Sequence, residues 1–179
     1  MTRDFLYQTE IDALLEAAKS SSKPARNLAL ILVMYRHGLR ASEALDMQWQ
    51  DINFTAQEIF VRRCKGSVSG SAPLWRDELK ALLTYQKKSC DRDSGFVWLG
   101  QGLKPLGYDG LYYLIRNLGA KANLSFPLHP HQLRHSCGYH LINKGHDLRL
   151  VQQLLGHKSI TNTVRYTQLA AGALRKLVD

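Results

Sequence analysis

Several side chains in this sequence of 179 residues could together attack a phosphodiester bond. Arg40 lies in the first third of the chain, and His131, Arg134, His157 and Tyr166 follow in the last third. A tyrosine hydroxyl can be the nucleophile, although a free phenol has a pKa of about 10 and needs neighbouring cations or a base. Arginine suits the phosphate because its planar guanidinium meets two oxygens at once and keeps its charge. The combination and its order along the chain, rather than any single residue, indicate this chemistry.

Each of these residues also has an ordinary structural interpretation. Arg40 and Glu43 are three positions apart, so Glu43 could fix the rotamer of Arg40, or the two could form a weak surface ion pair. His131 and Arg134 should share one face of a helix near its N-terminus, where an anion is favoured. They could equally be a structural histidine and a solvated arginine. Tyr166 could be a buried aromatic side chain of an amphipathic helix.

Two further positions and a metal alternative complete the candidate chemistry. His157 follows Gly156 at a predicted helix end, where it could point into a cleft or simply favour the helix dipole. Lys65 lies in a turn-rich segment between two predicted strands, where it could be solvated or could protonate a leaving oxygen. His131 and His135 are spaced to bind a metal, but no acidic or cysteine ligands accompany them. We therefore expect neither a metal nor another cofactor.

The charge balance favours a polyanionic partner. Lysine and arginine number 24 against 15 acidic residues, which gives a formal net charge of +9. Nucleic acid is the simplest such partner, and a solvated basic surface is the alternative. The longest apolar stretch, 28–35, is too short to span a bilayer, and residues 1–4 carry no signal-peptide pattern. Three widely spaced cysteines without a CxxC pair indicate a reducing cytoplasm.

Hydrophobic periodicity predicts a mainly helical chain with one small sheet. The segment 25–37 is apolar nearly all round, so it should form a buried helix that Gly38 ends as a C-terminal cap. Helices are expected over about 9–18, 25–37, 42–47, 76–88, 111–118, 130–143 and 148–155, with a last helix after 159 that carries Tyr166. Strand-forming residues near 52–54, 59–61 and 72–75 predict a small antiparallel sheet.

Three local signals predict where helices begin or end. Thr9 opens a capping-box pattern, and Asp147 should be the N-cap of the helix near 148. Gly119 should end the helix over 111–118.

The chain shows no internal repeat and no linker. The expected fold class is mainly α with a small antiparallel β-sheet (α+β).

The motifs together resemble the catalytic domain of tyrosine recombinases, the phage-integrase family. The matching segments are Gly-Leu-Arg-Ala-Ser-Glu at 38–43, Lys65 in its hairpin, His-Pro-His-Gln-Leu-Arg-His-Ser at 129–136, Leu-Leu-Gly-His-Lys-Ser at 154–159, and Tyr166-Thr167. They extend over roughly residues 9–169, nearly the whole chain. Within the family the sequence is most similar to the short fimbrial phase-switch recombinases, which invert a promoter segment.

The resemblance implies a role for each residue that would act on the phosphate. Arg40 and Arg134 would clamp the scissile phosphate, and His157 would hydrogen-bond it. His131 would assist proton transfer with Tyr166. The tyrosine would attack and form a 3′-phosphotyrosyl link, which keeps the bond energy so that strand exchange needs neither ATP nor a metal.

Further roles are implied around this set. Lys65 would be the general acid toward the 5′ oxygen, and Glu43 would support Arg40. Arg62, Arg63 and Lys158 are candidates for contacts with the DNA backbone. The sequence does not predict which DNA site is recognised, because no contact with a base edge is apparent from it.

The resemblance also implies partners and organisation. We expect one catalytic domain over 1–179 without a separate N-terminal core-binding domain. Double-stranded DNA would be bound by a tetramer on paired sites, formed from monomers free in solution, with accessory DNA-bending proteins as possible helpers and no membrane. The expected location is the bacterial cytoplasm at the nucleoid. The function that the resemblance implies is site-specific DNA recombination, in DNA inversion or in integration and excision. A DNA-binding regulator of the same fold and a type IB-like topoisomerase are the alternatives, and a metal-dependent hydrolase is disfavoured.

Overall fold

The computed structural model describes residues 3–64, 66–89 and 95–168. Helices dominate, and the predicted fold class, mainly α with a small antiparallel sheet, is confirmed. The helices are α1 (Gln8–Lys19), α2 (Pro24–Arg36), α3 (Ala41–Leu45), α4 (Arg76–Lys88), α5 (Tyr108–Lys121), α6 (Pro130–Asn143), α7 (Leu148–Leu155) and α8 (Thr161–Gln168). Short 3₁₀ turns cover Trp49–Asp51 and Gln101–Leu103. None of the helices in these ranges is long and apolar enough to cross a membrane.

A three-stranded antiparallel sheet lies between α3 and α4 in the chain. Its strands are β1 (Ile52–Asn53), β2 (Glu58–Val61) and β3 (Gly70–Pro73), in the order β1-β2-β3. Residues alternate between exposed and buried along β2, so Ile59 and Val61 face the core. The third strand begins earlier than the predicted 72–75, because Gly70 already pairs with Val61 and the ladder ends at Pro73.

α2 is the central helix of the fold. It packs against α1, α4 and α6. Its residues 29–35 are all buried, which confirms the predicted buried helix. Each buried leucine or isoleucine contributes roughly 1.5–3 kcal/mol through the hydrophobic effect. α2 therefore gives a fixed base for the residues that follow it, where the candidate site begins.

Two glycines let helix ends approach the site closely. Gly38 follows the end of α2 with φ +55°, and a Cβ there would collide with the side chain of Leu155 at the end of α7. Gly156 ends α7 with φ +68°, and a Cβ there would lie 2.9 Å from Cγ of Arg63. Any other residue would be strained at these backbone angles and would push the neighbouring side chain away.

Helix caps follow the predictions in part. The Asp147 side chain accepts the backbone N–H of Arg149 at 2.8 Å, which confirms it as the N-cap of α7. The predicted capping box from Thr9 is wrong, because the N-cap of α1 lies two residues before Thr9. Tyr7 is the N-cap there, and the Glu10 carboxylate accepts its N–H at 2.7 Å.

Gly119 does not end α5 as predicted. The helix continues to Lys121, and Gly119 lies inside it. A Cβ at this position would be 2.7 Å from Cβ of Leu128. The glycine therefore allows close packing against the segment before α6 rather than stopping the helix.

Candidate active site

Arg40 and Glu43 form a fixed pair at the start of α3. Arg40 is the N-cap residue, and the Glu43 carboxylate accepts its backbone N–H at 2.9 Å and its Nη1 at 2.7 Å. The Ser67 hydroxyl accepts another bond from the same Nη1 at 2.9 Å. The Arg40 side chain is 33% exposed, whereas that of Glu43 is fully buried. Arg40 is therefore an anchored, partly exposed cation, and its pair with Glu43 is not a weak surface ion pair.

Two further arginines lie near the Glu43 carboxylate. Arg63 donates to it at 2.7 Å, and Nη1 of Arg134 lies 3.8 Å from it. Burial alone would raise the pKa of the Glu43 carboxyl, but the charge of Arg63 and the hydrogen bonds from Arg40 and Arg63 outweigh burial, so its pKa is lowered. The carboxylate therefore stays charged at neutral pH. We call Arg40, Glu43, Arg63 and Arg134 the Glu43 cluster.

Arg134 joins the ends of two helices. From α6 its guanidinium donates to the carbonyl of Gly38 after α2, and to the carbonyl of Leu155 in α7 at 2.8 Å. Its side chain is 2% exposed. Burial, followed by the charges of Arg40 and Arg63, lowers its pKa to about 10, so it remains a cation at neutral pH.

His157 lies beside this cation, directly after the end of α7. Its Nδ1 is 2.9 Å from the hydroxyl oxygen of Thr163 in α8. Burial and then the charge of Arg134 lower its pKa to about 4, so the ring is neutral at neutral pH. Ser67 forms an isolated β-bridge with His157, so one residue of the β2–β3 hairpin contacts both Arg40 and this histidine.

Lys65, the predicted general acid, lies outside the described residues. Its neighbours in the hairpin border the site on both sides. The backbone N–H of Cys64 donates to Glu43 at 3.3 Å, and Ser67 contacts Arg40 and His157.

Tyr166 of α8 is buried against α6. Its side chain is 1% exposed, and its ring lies so close to Gly138 that a Cβ there would be 2.6 Å from Cε2. The hydroxyl oxygen is 3.1 Å from Nδ1 of His135. The ring also stacks on His157, with ring centroids 6.4 Å apart. Burial raises the pKa of Tyr166, although Arg134 opposes this, so the hydroxyl is protonated at neutral pH.

His135, Gly138 and Thr163 are site residues that the sequence did not assign. His135 was considered there for a metal alone, yet it is the residue that contacts the Tyr166 hydroxyl. Within the described ranges, no three side chains are grouped so that they could hold a metal ion. A glycine inside a predicted helix was the available signal for Gly138, because such a glycine often marks close packing. Thr163 carried no signal beyond its place near Tyr166.

An open cleft of about 300 Å³ includes Arg40 and His131 in its lining. Tyr108 and Tyr112 of α5 line it as well, with ring centroids 6.5 Å apart. His131 is exposed in the first turn of α6, and its ring meets that of His135 edge to face at 4.4 Å. Partial burial and the charge of Arg134 lower the pKa of His131. The cleft therefore offers an anion access to a cation and to a neutral imidazole.

Comparison with known proteins identifies the family. The model of the phage integrase family matches residues 4–172, a range that includes every segment of the site. The chain belongs to the phage integrase family. The predicted membership is thereby confirmed.

Named relatives of this phage integrase family member include fimbrial proteins. "Type 1 fimbriae regulatory protein FimB" of Escherichia coli strain K12 is 40% identical over 180 residues, which cover 99% of this chain and 90% of that protein. "Type 1 fimbriae regulatory protein FimE" of the same strain is 38% identical, over 92% of this chain and 85% of that protein. "Tyrosine recombinase XerC" of Pediococcus pentosaceus is 34% identical, over 96% of this chain and 60% of that protein. The predicted likeness to fimbrial recombinases is confirmed.

Solved structures agree with the fold of this family. The crystal structure of XerA recombinase superposes with a TM-score of 0.87 at 30% identity and covers 99% of this chain. The XerH site-specific recombinase bound to its palindromic difH substrate superposes with a TM-score of 0.81 at 26% identity and covers 97%. The chain spans 64% and 52% of those two chains, so it corresponds to part of each.

The three expected DNA-backbone contacts lie in different surroundings in this integrase-family chain. Lys158 is exposed beside His157. The Arg62 side chain is 47% exposed and pairs with Asp51. The expectation for Arg63 needs correction, because its side chain is 2% exposed and its guanidinium is bonded within the protein. Its ion pair with the buried Glu43 carboxylate at 2.7 Å holds it inside the protein, whereas Arg134 lies 3.8 Å from that carboxylate.

Proposed function

We propose that this protein is a site-specific DNA recombinase that cleaves and rejoins DNA through a 3′-phosphotyrosyl link to Tyr166. One observation carries the proposal. Arg40, Arg134, His157 and Tyr166 come from distant parts of the chain into one site, where their contacts are joined by Glu43, His135 and the hairpin. The names of the relatives, which include a tyrosine recombinase, support the same reaction.

The proposed site meets the charge that develops on the phosphate. In the transition state, negative charge grows on the non-bridging oxygens, and cations placed beforehand are usually the largest source of stabilisation. Arg40 lines the open cleft and is held by Glu43. Arg134 would complete the clamp by turning its guanidinium from two carbonyls to the phosphate. His157 would add a hydrogen bond at the same phosphate.

Proton transfers complete the proposed reaction. As the Tyr166 oxygen bonds to phosphorus, its proton passes to a neutral histidine, either His131 in the cleft or His135 at 3.1 Å. The bond to the 5′ oxygen breaks, and that oxygen takes a proton from Lys65, the role that the family resemblance implies. Attack by a 5′ hydroxyl of the partner strand reverses these steps and frees Tyr166. The mechanism we propose uses neither a metal nor ATP.

Double-stranded DNA is the proposed partner, and the formal net charge of +9 favours its binding. Exchange of both strands between two sites needs four nucleophiles. We therefore propose that four copies act on paired sites and that each copy contributes one catalytic domain with its Tyr166. The four copies would assemble from monomers. Accessory DNA-bending proteins would help to hold the paired sites. Because the proposed substrate is bacterial DNA, we propose that the protein acts in the cytoplasm at the nucleoid.

The proposal is tested by trapping the covalent link. Duplexes selected by binding from a randomised pool supply a site, and a nick just beyond the scissile phosphate lets the freed 5′-hydroxyl fragment diffuse away. We expect wild-type protein to form an adduct that resists SDS, with or without EDTA. Tyr166→Phe should form none, because it lacks the nucleophilic oxygen. Tyr7→Phe, which changes an exposed tyrosine away from the site, should form as much as wild type.

Other outcomes would identify the alternatives. Selective binding without any adduct would mean a DNA-binding regulator. An adduct that disappears with EDTA would mean metal-dependent chemistry. Relaxation of a supercoiled plasmid without exchange between two sites would mean a topoisomerase.

A further inference from the structure

Arg63 is buried where three segments of the site meet. It follows β2, and its side chain is 2% exposed. Its guanidinium donates to the Glu43 carboxylate at 2.7 Å, to the His37 carbonyl at 2.9 Å and to the Leu154 carbonyl. One side chain thus binds α3, the residue that follows α2, and the last turn of α7.

Each of these three contacts lies close to a residue with a proposed catalytic role. Arg40 is three positions after His37, and its guanidinium is held by Glu43. His157 is three positions after Leu154. Because Arg40 and His157 are far apart in the chain, their relative position depends on contacts such as those of Arg63. The nearby negative ends of α2 and α7 also favour a cation at this place.

Arg134 bridges the same two helix ends beside Arg63. It binds the carbonyls of Gly38 and Leu155, each one position after the carbonyls of His37 and Leu154 that Arg63 binds. Because its side chain is only 2% exposed, Arg134 would have to turn its guanidinium away from these two carbonyls to clamp a phosphate in the cleft. Arg63 has no such competing partner in the proposed reaction, so its bridge between the helix ends can persist.

We propose that Arg63 is a positioning residue that holds α2, α3 and α7 together while Arg134 turns onto the scissile phosphate. This inference rests on the proposed recombinase function. The role needs an arginine, because its planar guanidinium carries donors in several directions, whereas lysine presents a single nitrogen. Arg63 therefore acts on the reaction through Arg40 and His157 and does not touch the DNA.

The first test separates binding from chemistry with Arg63→Gln. On the nicked duplex at saturating concentration, we expect the single-turnover rate of adduct formation to fall about 10- to 100-fold, as for small displacements of catalytic groups. The dissociation constant for the intact duplex, and its dependence on salt, should stay within about twofold of wild type, because no phosphate contact is lost. The rate of Arg63→Lys should lie between the rates of wild type and Arg63→Gln.

Two matched variants serve as controls. Arg62→Gln removes the adjacent, half-exposed arginine, and it should weaken binding and lower the salt slope by about one, as expected for a lost phosphate contact. Lys80→Gln removes an exposed charge of α4 outside the site and should change neither rate nor affinity. If Arg63→Gln behaves like Arg62→Gln, Arg63 contacts DNA and the inference is wrong.

A second measurement distinguishes positioning from general loss of structure. A methylphosphonate at the scissile position removes the negative charge that the arginines stabilise. The fold loss of rate that Arg63→Gln causes, relative to wild type, should therefore be at least about tenfold smaller on the methylphosphonate than on the phosphate. The reason is that the arginine clamp contributes less to the rate on the uncharged substrate. An equal loss on both substrates would mean that Arg63 supports folding alone, and a wild-type rate on the phosphate would also overturn the inference.

Folding and function are controlled separately. If Arg63→Gln does not fold, the double variant Glu43→Gln/Arg63→Met is used instead, because it removes both buried charges. The ratio of its rate on the phosphate to its rate on the methylphosphonate is compared with the same ratio for Glu43→Gln alone. A ratio equal to that of Glu43→Gln would contradict the inference, and a further loss confined to the phosphate would support it. Failure of wild-type protein to form any adduct would instead refute the proposed function.

Discussion

At the scale of single residues, Tyr166, the proposed nucleophile, has a buried hydroxyl. Its side chain is 1% exposed, and its oxygen lies 3.1 Å from Nδ1 of His135. Attack on a phosphate therefore requires the ring to move from its place against α6. Until then the neutral phenol is protected from solvent.

We expect Tyr166 to titrate above the ordinary tyrosine pKa of about 10 in the DNA-free protein, because burial disfavours the phenolate. The absorbance of phenolate, measured against pH and taken as wild type minus Tyr166→Phe, isolates this group. Subtraction of Tyr113→Phe, which removes an exposed tyrosine, gives the matched reference curve. A Tyr166 curve at or below the reference would contradict a buried hydroxyl.

The types and order of the site residues could be predicted from the sequence, but their contacts could not. Helical spacing brings His131, Arg134 and His135 together, yet it does not reveal which of them faces α8. The contact between His135 and Tyr166 joins residues 31 positions apart and depends on how α6 packs on α8. The burial of Arg63 likewise depends on Glu43, 20 positions earlier.

At the scale of elements, the packing of α8 on α6 depends on the absence of a side chain at position 138. Hydrophobic periodicity predicted the bounds of α2 and α4 well, because α4 has a regular apolar face and α2 is apolar nearly all round. It failed at Gly119, where glycine serves packing within a helix. Gly138 belongs to the same class, since a Cβ there would enter the space of the Tyr166 ring.

Gly138→Ala should therefore separate α8 from α6. Alanine favours a helix by about 1 kcal/mol over glycine. Overpacking of the ring should outweigh this gain and lower the free energy of unfolding by about 1–3 kcal/mol. Urea denaturation measures the change, and nitration of Tyr166 should become faster as the ring is displaced.

Gly110→Ala is the matched control for this substitution. The Cβ at 110 would meet the far end of the Leu106 side chain at 2.9 Å, which can rotate away. Its stability should change less than that of Gly138→Ala. An equal or smaller loss in Gly138→Ala would mean that the Tyr166 ring is not confined by α6.

At the scale of the whole molecule, two histidines that are neutral in the folded protein make the fold sensitive to acid. His135 and His157 each have a pKa lowered to about 4, with burial as the main cause. In the unfolded chain, histidines bind protons at about pH 6.5. Between these values the unfolded state binds more protons than the folded state, so the free energy of unfolding falls as the pH falls.

We expect the unfolding midpoint to drop as the pH is lowered from 7 toward 4, with the steepest change below about pH 6.5. Thermal denaturation at a series of pH values measures it. His135→Phe removes one of the two groups and should flatten the curve, whereas His146→Gln changes an exposed histidine and should not. A midpoint that is constant over this range would contradict the lowered pKa values of His135 and His157.

The two carbonyl bonds of Arg134 have a consequence for the search along DNA. While its guanidinium is bonded to Gly38 and Leu155, the protein meets passing phosphates with an incomplete set of cations. A phosphate that rests only briefly in the cleft would leave before the Arg134 guanidinium has turned toward it. In the proposed mechanism, brief encounters along a chromosome should then leave strands intact, and cleavage should occur only at a target that stays in the cleft until Arg134 has turned from the two carbonyls.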